Sequence, residues 1–507
     1  MVVFEIENYT LQVKAPLYKA VQNFLGKRQL SFHVPLHGGG AGALPLMKRV
    51  FGSYMRWDLT ELDGLDDLHL PLEAIREAQE LAAGLFQAAE TFFLVNGVTA
   101  GLLALFLAFC QPGDKVLLSR IAHKAALHGI LLAGALPVYL PVEQEPVTGF
   151  PLNISPLLVE KALGEHPDAK ILLLTSPSYW GVAADLPGIK KITDKYRVML
   201  VVDEAHGAHL PFYPQYIPHS AAAKADIWLH SAHKTLGALT PGAFLHLGNK
   251  KNAPLLKFWL QTLQTSSPSY PLMVSLDLAR RQAALRGEEI FSRSWRWALR
   301  LRHELEKRGF KILSPALVQQ EGFALDPCRI TLLFPGGGGL HLAAIMGSNY
   351  QLQVELKDHG YILMITGPSN LSISPTLVAR AIARSRHLLS YLKHPPKNTS
   401  PISDFSPTIF RTGPSFPSGG EGYTFPPFCL PPGIAFNSPS RAISLEKSPG
   451  EVCSEMVVLS PPGIPVLSPG ERITGEVCDF LLQKRAEGRY FQGAADHTLQ
   501  KIRVVSG

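Results

Sequence analysis

Between about residues 61 and 285, short apolar runs alternate with longer segments whose apolar residues recur at helical spacing. The runs at 91–95, 115–118, 136–140, 170–175, 198–203, 226–230 and 244–247 read as buried strands. Segments such as 154–163 and 186–196 read as the helices between them. This alternation predicts an α/β fold: a mostly parallel sheet covered by helices on both faces. Ligands of such sheets sit at the carboxyl ends of the strands. No charged residue occurs from Thr91 to Gly113, a stretch long enough to cross a bilayer. Asn96-Gly97 interrupts it and Pro112-Gly113 ends it, so a strand, a turn and a buried helix over 98–110 are expected instead.

The pattern changes along the chain. Residues 1–60 form an entry segment containing the flexible loop Leu36-His37-Gly38-Gly39-Gly40-Ala41-Gly42. Residues 61–285 form the large alternating domain. A small α+β domain is expected over 286–394, with a basic amphipathic helix at 293–308, strands near 329–334 and 361–365, and a helix near 375–392. Residues 395–425 are rich in proline, serine and glycine and read as a linker that cannot bury a core. A small carboxyl-terminal domain is expected over 426–507. No internal repeat is visible.

Composition narrows the function classes. The chain has 507 residues, 46% apolar and 18% charged, as a globular enzyme does. Its formal charge of +7 is scattered, with no run of five basic residues, so neither nucleic acid nor a membrane is an expected partner. The five cysteines are dispersed and none has CxxC spacing. That argues against a disulfide framework and a cysteine metal site, and fits a reducing cytoplasm. Met1-Val2-Val3-Phe4-Glu5 lacks the charged start of a signal peptide.

The chemistry concentrates at strand ends. The run 198–202 ends on Asp203-Glu204-Ala205-His206, and the run 226–230 leads into Ser231-Ala232-His233-Lys234-Thr235. A lysine after a strand is ordinarily a solvated loop residue, and an aspartate there is often a helix cap. Together they suit pyridoxal phosphate: the lysine amine bonds to the aldehyde, and the aspartate keeps the pyridine nitrogen protonated. Asn96-Gly97-Val98-Thr99, between a strand and a helix, reads either as a tight turn or as a phosphate seat. Ser231 can add a phosphate donor. His123 reads either as a surface residue or as an imidazole lying on an aromatic ring, and His206 is placed to reach the ring's phenolic oxygen.

These segments carry a resemblance. The stretches Trp57-Asp58-Leu59-Thr60-Glu61-Leu62-Asp63-Gly64-Leu65-Asp66-Asp67-Leu68-His69, Phe92 to Gly101, Pro112-Gly113-Asp114-Lys115-Val116, Asp203 to His209 and Ser231 to Thr235 resemble the bacterial ornithine/lysine/arginine decarboxylases of the aspartate-aminotransferase fold. Pro461-Pro462-Gly463-Ile464-Pro465 and Pro469 to Thr474 resemble that family's carboxyl-terminal domain, and the chain looks like the compact form without a wing domain. The resemblance implies fold-type I architecture and pyridoxal 5'-phosphate as cofactor, with no metal. It implies Lys234 as the covalent anchor, Asp203 at the pyridine nitrogen, and His206 at the phenolic oxygen. It places His123 on the ring, Gly97, Val98, Thr99 and Ser231 at the phosphate, and His233 beside the reacting carbon. Glu355, and His37 of the entry loop, are implied at the substrate. The implied reaction is decarboxylation of a basic L-amino acid, arginine before lysine or ornithine, feeding polyamine synthesis. A homodimer is implied, its entry loop 33–42 reaching the neighbouring site. Departures keep other outcomes open, among them transamination, aldol cleavage and a non-catalytic member. The family's Pro-Gly-His-Lys is replaced by Pro35-Leu36-His37-Gly38, and Val98 stands where a serine is usual.

Overall fold

The structure is a computed structural model that describes residues 10–27, 30–146, 149–335, 337–392, 426–460 and 463–506. The expected linker 395–425 lies outside the described residues. The chain divides into two compact units: Met1–Phe109, Leu200–Phe212 and His219–Glu289 make the first, and Cys110–Met199, Tyr213–Pro218 and Ile290–Gly507 the second.

Among the described residues, eight strands precede residue 250. They are β1 (Glu90–Leu94), β2 (Lys115–Ser119), β3 (Leu136–Leu140), β4 (Ile171–Thr175), β5 (Val182–Ala183), β6 (Met199–Asp203), β7 (Ile227–His230) and β8 (Ala243–Leu247). The first unit carries the order β1-β8-β7-β6, and the second the order β4-β2-β3. β2 runs parallel to β3 and β4, and β6 parallel to β7. β8 is antiparallel to both β7 and β1. The reason is the connection: β7 leads into a short helical turn, not a full crossover helix, and the chain returns directly. The strands expected from the apolar runs appear within a residue or so of their expected ends, and the fold is α/β.

In the first unit, the helix Gly97–Phe109 follows β1, as expected. It is apolar on all sides and therefore buried on most of them. No described helix is long and apolar enough to cross a membrane. Aromatic rings fill the core: Phe86 lies 5.8 Å from Phe244 and 6.3 Å from Phe212, and Phe93 lies 5.4 Å from Phe244, centroid to centroid. The helix expected at 293–308 is the end of a much longer one, Tyr270–Glu306. Its interior glycine, Gly287, is no helix breaker. A Cβ there would lie 2.7 Å from the Phe212 ring, so the glycine allows close packing. The expected flexible loop at 36–42 contains a short 3-10 turn, Gly38–Gly40, in which all three glycines have positive φ.

The second unit holds two further cores. A four-stranded antiparallel sheet orders Leu356–Lys357, Tyr361–Ile365, Arg329–Leu333 and Lys311–Ile312. Ile330, Leu332 and Ile362 of this sheet pack with Leu342, Met346, Ala379 and Ile382 of two helices. Toward the carboxyl end, Ser440–Ser444 pairs with Lys501–Val505, and Val457–Leu459 lies between Ile464–Leu467 and Phe491–Gln492. Their core, with Val457, Val477 and Phe491, is continuous with Phe150, Trp180 and Tyr361.

Candidate active site

The ends of β6 and β7 build the centre of the site. β6 is apolar until Asp203, which is 5% exposed. Its Oδ1 accepts the Ala205 N–H at 3.2 Å. Burial pushes this carboxyl above its ordinary range, against the pull of the Lys234 charge and the Ala205 N–H. β7 is buried throughout and ends at His230. The chain then turns through buried Ser231 into the short helix Ala232–Thr235. Lys234 emerges from that turn, and its Nζ lies 3.2 Å from His206 Nε2, a hydrogen-bond distance. Asp203, His206 and Lys234 are thus brought together.

His233 is anchored to the residue before β8. Its Nδ1 donates to the Gly242 carbonyl at 3.0 Å. Burial holds its proton affinity below the ordinary value; the Gly242 bond opposes this and the nearby Lys234 charge adds to it. A neutral ring that donates from Nδ1 leaves Nε2 as the acceptor. The Thr235 hydroxyl is buried with no hydrogen-bond partner among the described residues.

At the start of the helix Gly97–Phe109, Gly97 has φ +73° and is buried with Val98, whereas Asn96 and Thr99 are exposed. The turn is pinned from outside. Gln264 Oε1 accepts the Val95 N–H at 2.8 Å, and Asn96 Oδ1 accepts the Thr265 N–H at 3.3 Å. The first-turn N–H groups of an α-helix lack intrahelical partners, and here they lie beside the Thr99 hydroxyl, groups of the kind that can hold an anion.

His37 lies in the first unit and pairs with Asp58 at 3.1 Å. His123 and Glu355 lie in the second. His123 caps the helix Lys124–Ala133, its Nδ1 accepting the Ala125 N–H at 3.2 Å. A Cβ added at Gly463 would lie 3.0 Å from His123 Nε2, and Gly463 O accepts the Lys124 N–H at 3.0 Å. The carboxyl-terminal region therefore backs this imidazole. Glu355 accepts the Tyr179 hydroxyl. Burial and that carboxylate together push the Tyr179 phenol well above its usual range.

Sequence reasoning missed two groups. Thr91, Glu204, His230 and His246 are hydrogen-bonded to one another inside the first unit. Their one signal was polarity inside apolar strands, as in Trp228-Leu229-His230 and Leu245-His246-Leu247. The other is Arg120, ion-paired with Glu471 across most of the second unit's sequence.

The donor set has a definite chemistry. A buried carboxylate with one described backbone N–H suits a second, cationic N–H. An amine beside an imidazole suits an aldehyde carbon, and a helix start suits a phosphate. One aromatic group bearing all three satisfies the first unit's residues together.

The comparisons with known proteins converge. Residues 15–338 match the model of the Orn/Lys/Arg decarboxylase major domain, and residues 433–499 that of the Orn/Lys/Arg decarboxylase C-terminal domain. The uncharacterized protein YaaO of Bacillus subtilis (strain 168) is 35% identical over 95% of this chain and 96% of its own length. An arginine decarboxylase of the same organism is 31% identical over 97% of this chain and 98% of its own. The lysine decarboxylase LdcF of Francisella novicida superposes with a TM-score of 0.83 at 20% identity, covering 99% of this chain and 82% of that one. Matches this extensive, over both the strand-end residues and the carboxyl-terminal region, make the chain a member of the Orn/Lys/Arg decarboxylase family.

Proposed function

We propose that this chain binds pyridoxal 5'-phosphate and decarboxylates a basic L-amino acid, arginine in preference to lysine or ornithine, and so feeds polyamine synthesis. The observation that carries the reading is the Asp203, His206 and Lys234 cluster at the ends of β6 and β7. The preference for arginine rests on the relatives: full-length ones at about the same identity are named arginine decarboxylases, and those named lysine decarboxylases are more distant.

Pyridoxal phosphate, when bound, supplies an electron sink for the bond broken as carbon dioxide departs. Asp203 is assigned to hold a proton on the pyridine nitrogen, and that N–H in turn offsets the burial of the carboxylate. Lys234 is the assigned anchor for the aldehyde, and His206 stands beside its amine. Gly97, Val98, Thr99 and Ser231 are assigned to the phosphate. The loss of a serine at Val98 removes one hydroxyl from that set. His233 or Lys234 delivers a proton to the α-carbon after carbon dioxide has left. By family resemblance, His123 is assigned to the ring face, and Glu355 and His37 to the substrate.

A homodimer is part of the proposal. Leu30, Phe32, Leu36, Leu44 and Leu46 are each more than 60% exposed, a density of apolar surface that points to a covered face.

The test is carbon dioxide release by the purified protein with added pyridoxal phosphate, offering arginine, lysine and ornithine separately. Release from arginine at the highest kcat/KM is expected, and its absence in Lys234→Ala. Keto-acid formation without carbon dioxide, or inertness toward all three, overturns the reading. Glu355→Gln is expected to raise KM by about 10–100-fold with less effect on kcat, the worth of one charge-assisted hydrogen bond.

A further inference from the structure

Glu204, His230, His246 and Thr91 form a continuous hydrogen-bonded chain within the first unit. His230 Nε2 lies 2.8 Å from Glu204 Oε2, and His230 Nδ1 lies 3.0 Å from His246 Nε2. His246 Nδ1 lies 2.8 Å from Thr91 Oγ1. All four residues are buried, and none is more than 1% exposed. The second Glu204 oxygen accepts the Ser220 N–H at 3.0 Å. Rings seal the chain from water. Phe86 packs 4.9 Å from His230 and 5.0 Å from His246, and Trp228 stacks 5.2 Å from His246.

Burial holds His246 well below the ordinary imidazole range, so its ring carries one N–H. The donors then have two self-consistent orders. With His230 neutral, Thr91 donates to His246, His246 to His230, and His230 to Glu204. With His230 protonated, His230 donates to both neighbours and His246 donates to Thr91. Every contact in the chain survives in both orders, so the tie does not depend on the charge of His230.

The position of this tie gives it a consequence. Glu204 directly follows Asp203, and His230 directly precedes the turn that carries Lys234. The β6–β7 ladder reaches its end at the Asp203–Leu229 pair. Beyond that point the Glu204–His230 bond joins the two strand ends through their side chains. We infer that Glu204 and His230 are positioning residues, whose bond sets the placement of Asp203 relative to Lys234. This rests on the roles proposed above for those two residues. Neither Glu204 nor His230 is assigned a contact with the substrate.

The experiment uses the protein and three variants: His230→Phe, His230→Gln and Glu204→Leu. Phenylalanine fits the aromatic box but breaks the tie, whereas glutamine can still donate to Glu204. The first readout needs no cofactor: the titration midpoint of the Lys234 amine, followed by competitive acetic anhydride labelling. The titratable groups facing Lys234 and the tie are Asp203, His206, His233, His219 and His246. A changed separation from Asp203 and His206 is expected to move the midpoint by about 0.5 pH unit or more in His230→Phe. In His230→Gln it should stay within about 0.2 unit of the parent. The second readout is turnover of the loaded enzyme: kcat is expected to fall about tenfold or more in His230→Phe, with KM changed less than about threefold. A folded His230→Phe protein whose midpoint and kcat both match the parent overturns the inference. If that variant does not fold, Glu204→Leu, which cannot accept from His230, decides by the same two readouts with the same changes expected. If the parent releases no carbon dioxide, the proposed function fails, and the labelling arm alone judges the tie.

Discussion

Asp203 is a charge held where water does not reach it, and its burial has a measurable sign. A carboxyl whose folded-state pKa lies above its unfolded value lowers stability as pH rises through that raised pKa. Asp203→Asn removes the charge without changing the shape. In cofactor-free protein, the Tm of the Asn variant is therefore expected to gain on the parent above about pH 4, the gap growing until the pH has passed the raised value. A parent-minus-variant difference that is flat from pH 4 to 8 contradicts this. Turnover with cofactor should meanwhile fall at least ~100-fold, because the proton on the ring nitrogen loses its anchor. Asp203 and Lys234 were legible in the sequence because one closes an apolar run and the other closely follows one. Glu204 and His230 were not, although each adjoins a residue that was read. Their meaning depends on His230, His246 and Thr91 falling in line on three separate strands, and a linear pattern records polarity but not alignment. The resemblance motif Gly64 to His69 shows the same limit. The structure explains it: Asp66 accepts the N–H groups of Asp67, Leu72, Glu73, Ile75 and Arg76, a cap laid over the start of a helix six residues or more away.

At the scale of elements, period and burial agreed for every main strand, since five-residue apolar runs bounded by polar residues leave little freedom. The two-residue strands escaped notice because their pairing is set by partners far away, as Val182–Ala183 pairs with Ala324–Leu325. The length of Tyr270–Glu306 escaped because Gly287 reads as punctuation in a sequence and as clearance in the structure. Gly101 repeats that lesson on the helix behind the phosphate turn. A Cβ there would lie 2.6 Å from Leu229 Cδ2 and 2.8 Å from Leu94 Cδ1. Gly101→Ala is therefore expected to destabilise the protein by about 1–3 kcal/mol in urea, despite alanine's better helix propensity. A stabilised variant would mean that the two leucines repack freely.

At the scale of the molecule, the sequence marked the carboxyl-terminal region as separate by composition, and the structure shows what ties it down. Arg120, just after β2, donates to Glu471 at 2.8 Å and to the Val466 carbonyl at 2.6 Å. Its guanidinium also covers the Tyr139 ring at 4.2 Å. Both partners of the ion pair are buried. Removing one partner strands the other charge, so Glu471→Ala is expected to cost about 3–5 kcal/mol, read as a lower urea midpoint. Loss of less than about 1 kcal/mol would mean that water reaches Arg120. The sequence could not foresee the pair, because 351 positions separate its members. That spacing is also a delay. A ribosome adding ~5–20 residues per second makes Arg120 about 20–70 s before Glu471. Throughout that interval the newborn chain holds a cation whose counter-charge does not yet exist, and the interior destined for it must stay open to water until Glu471 is made.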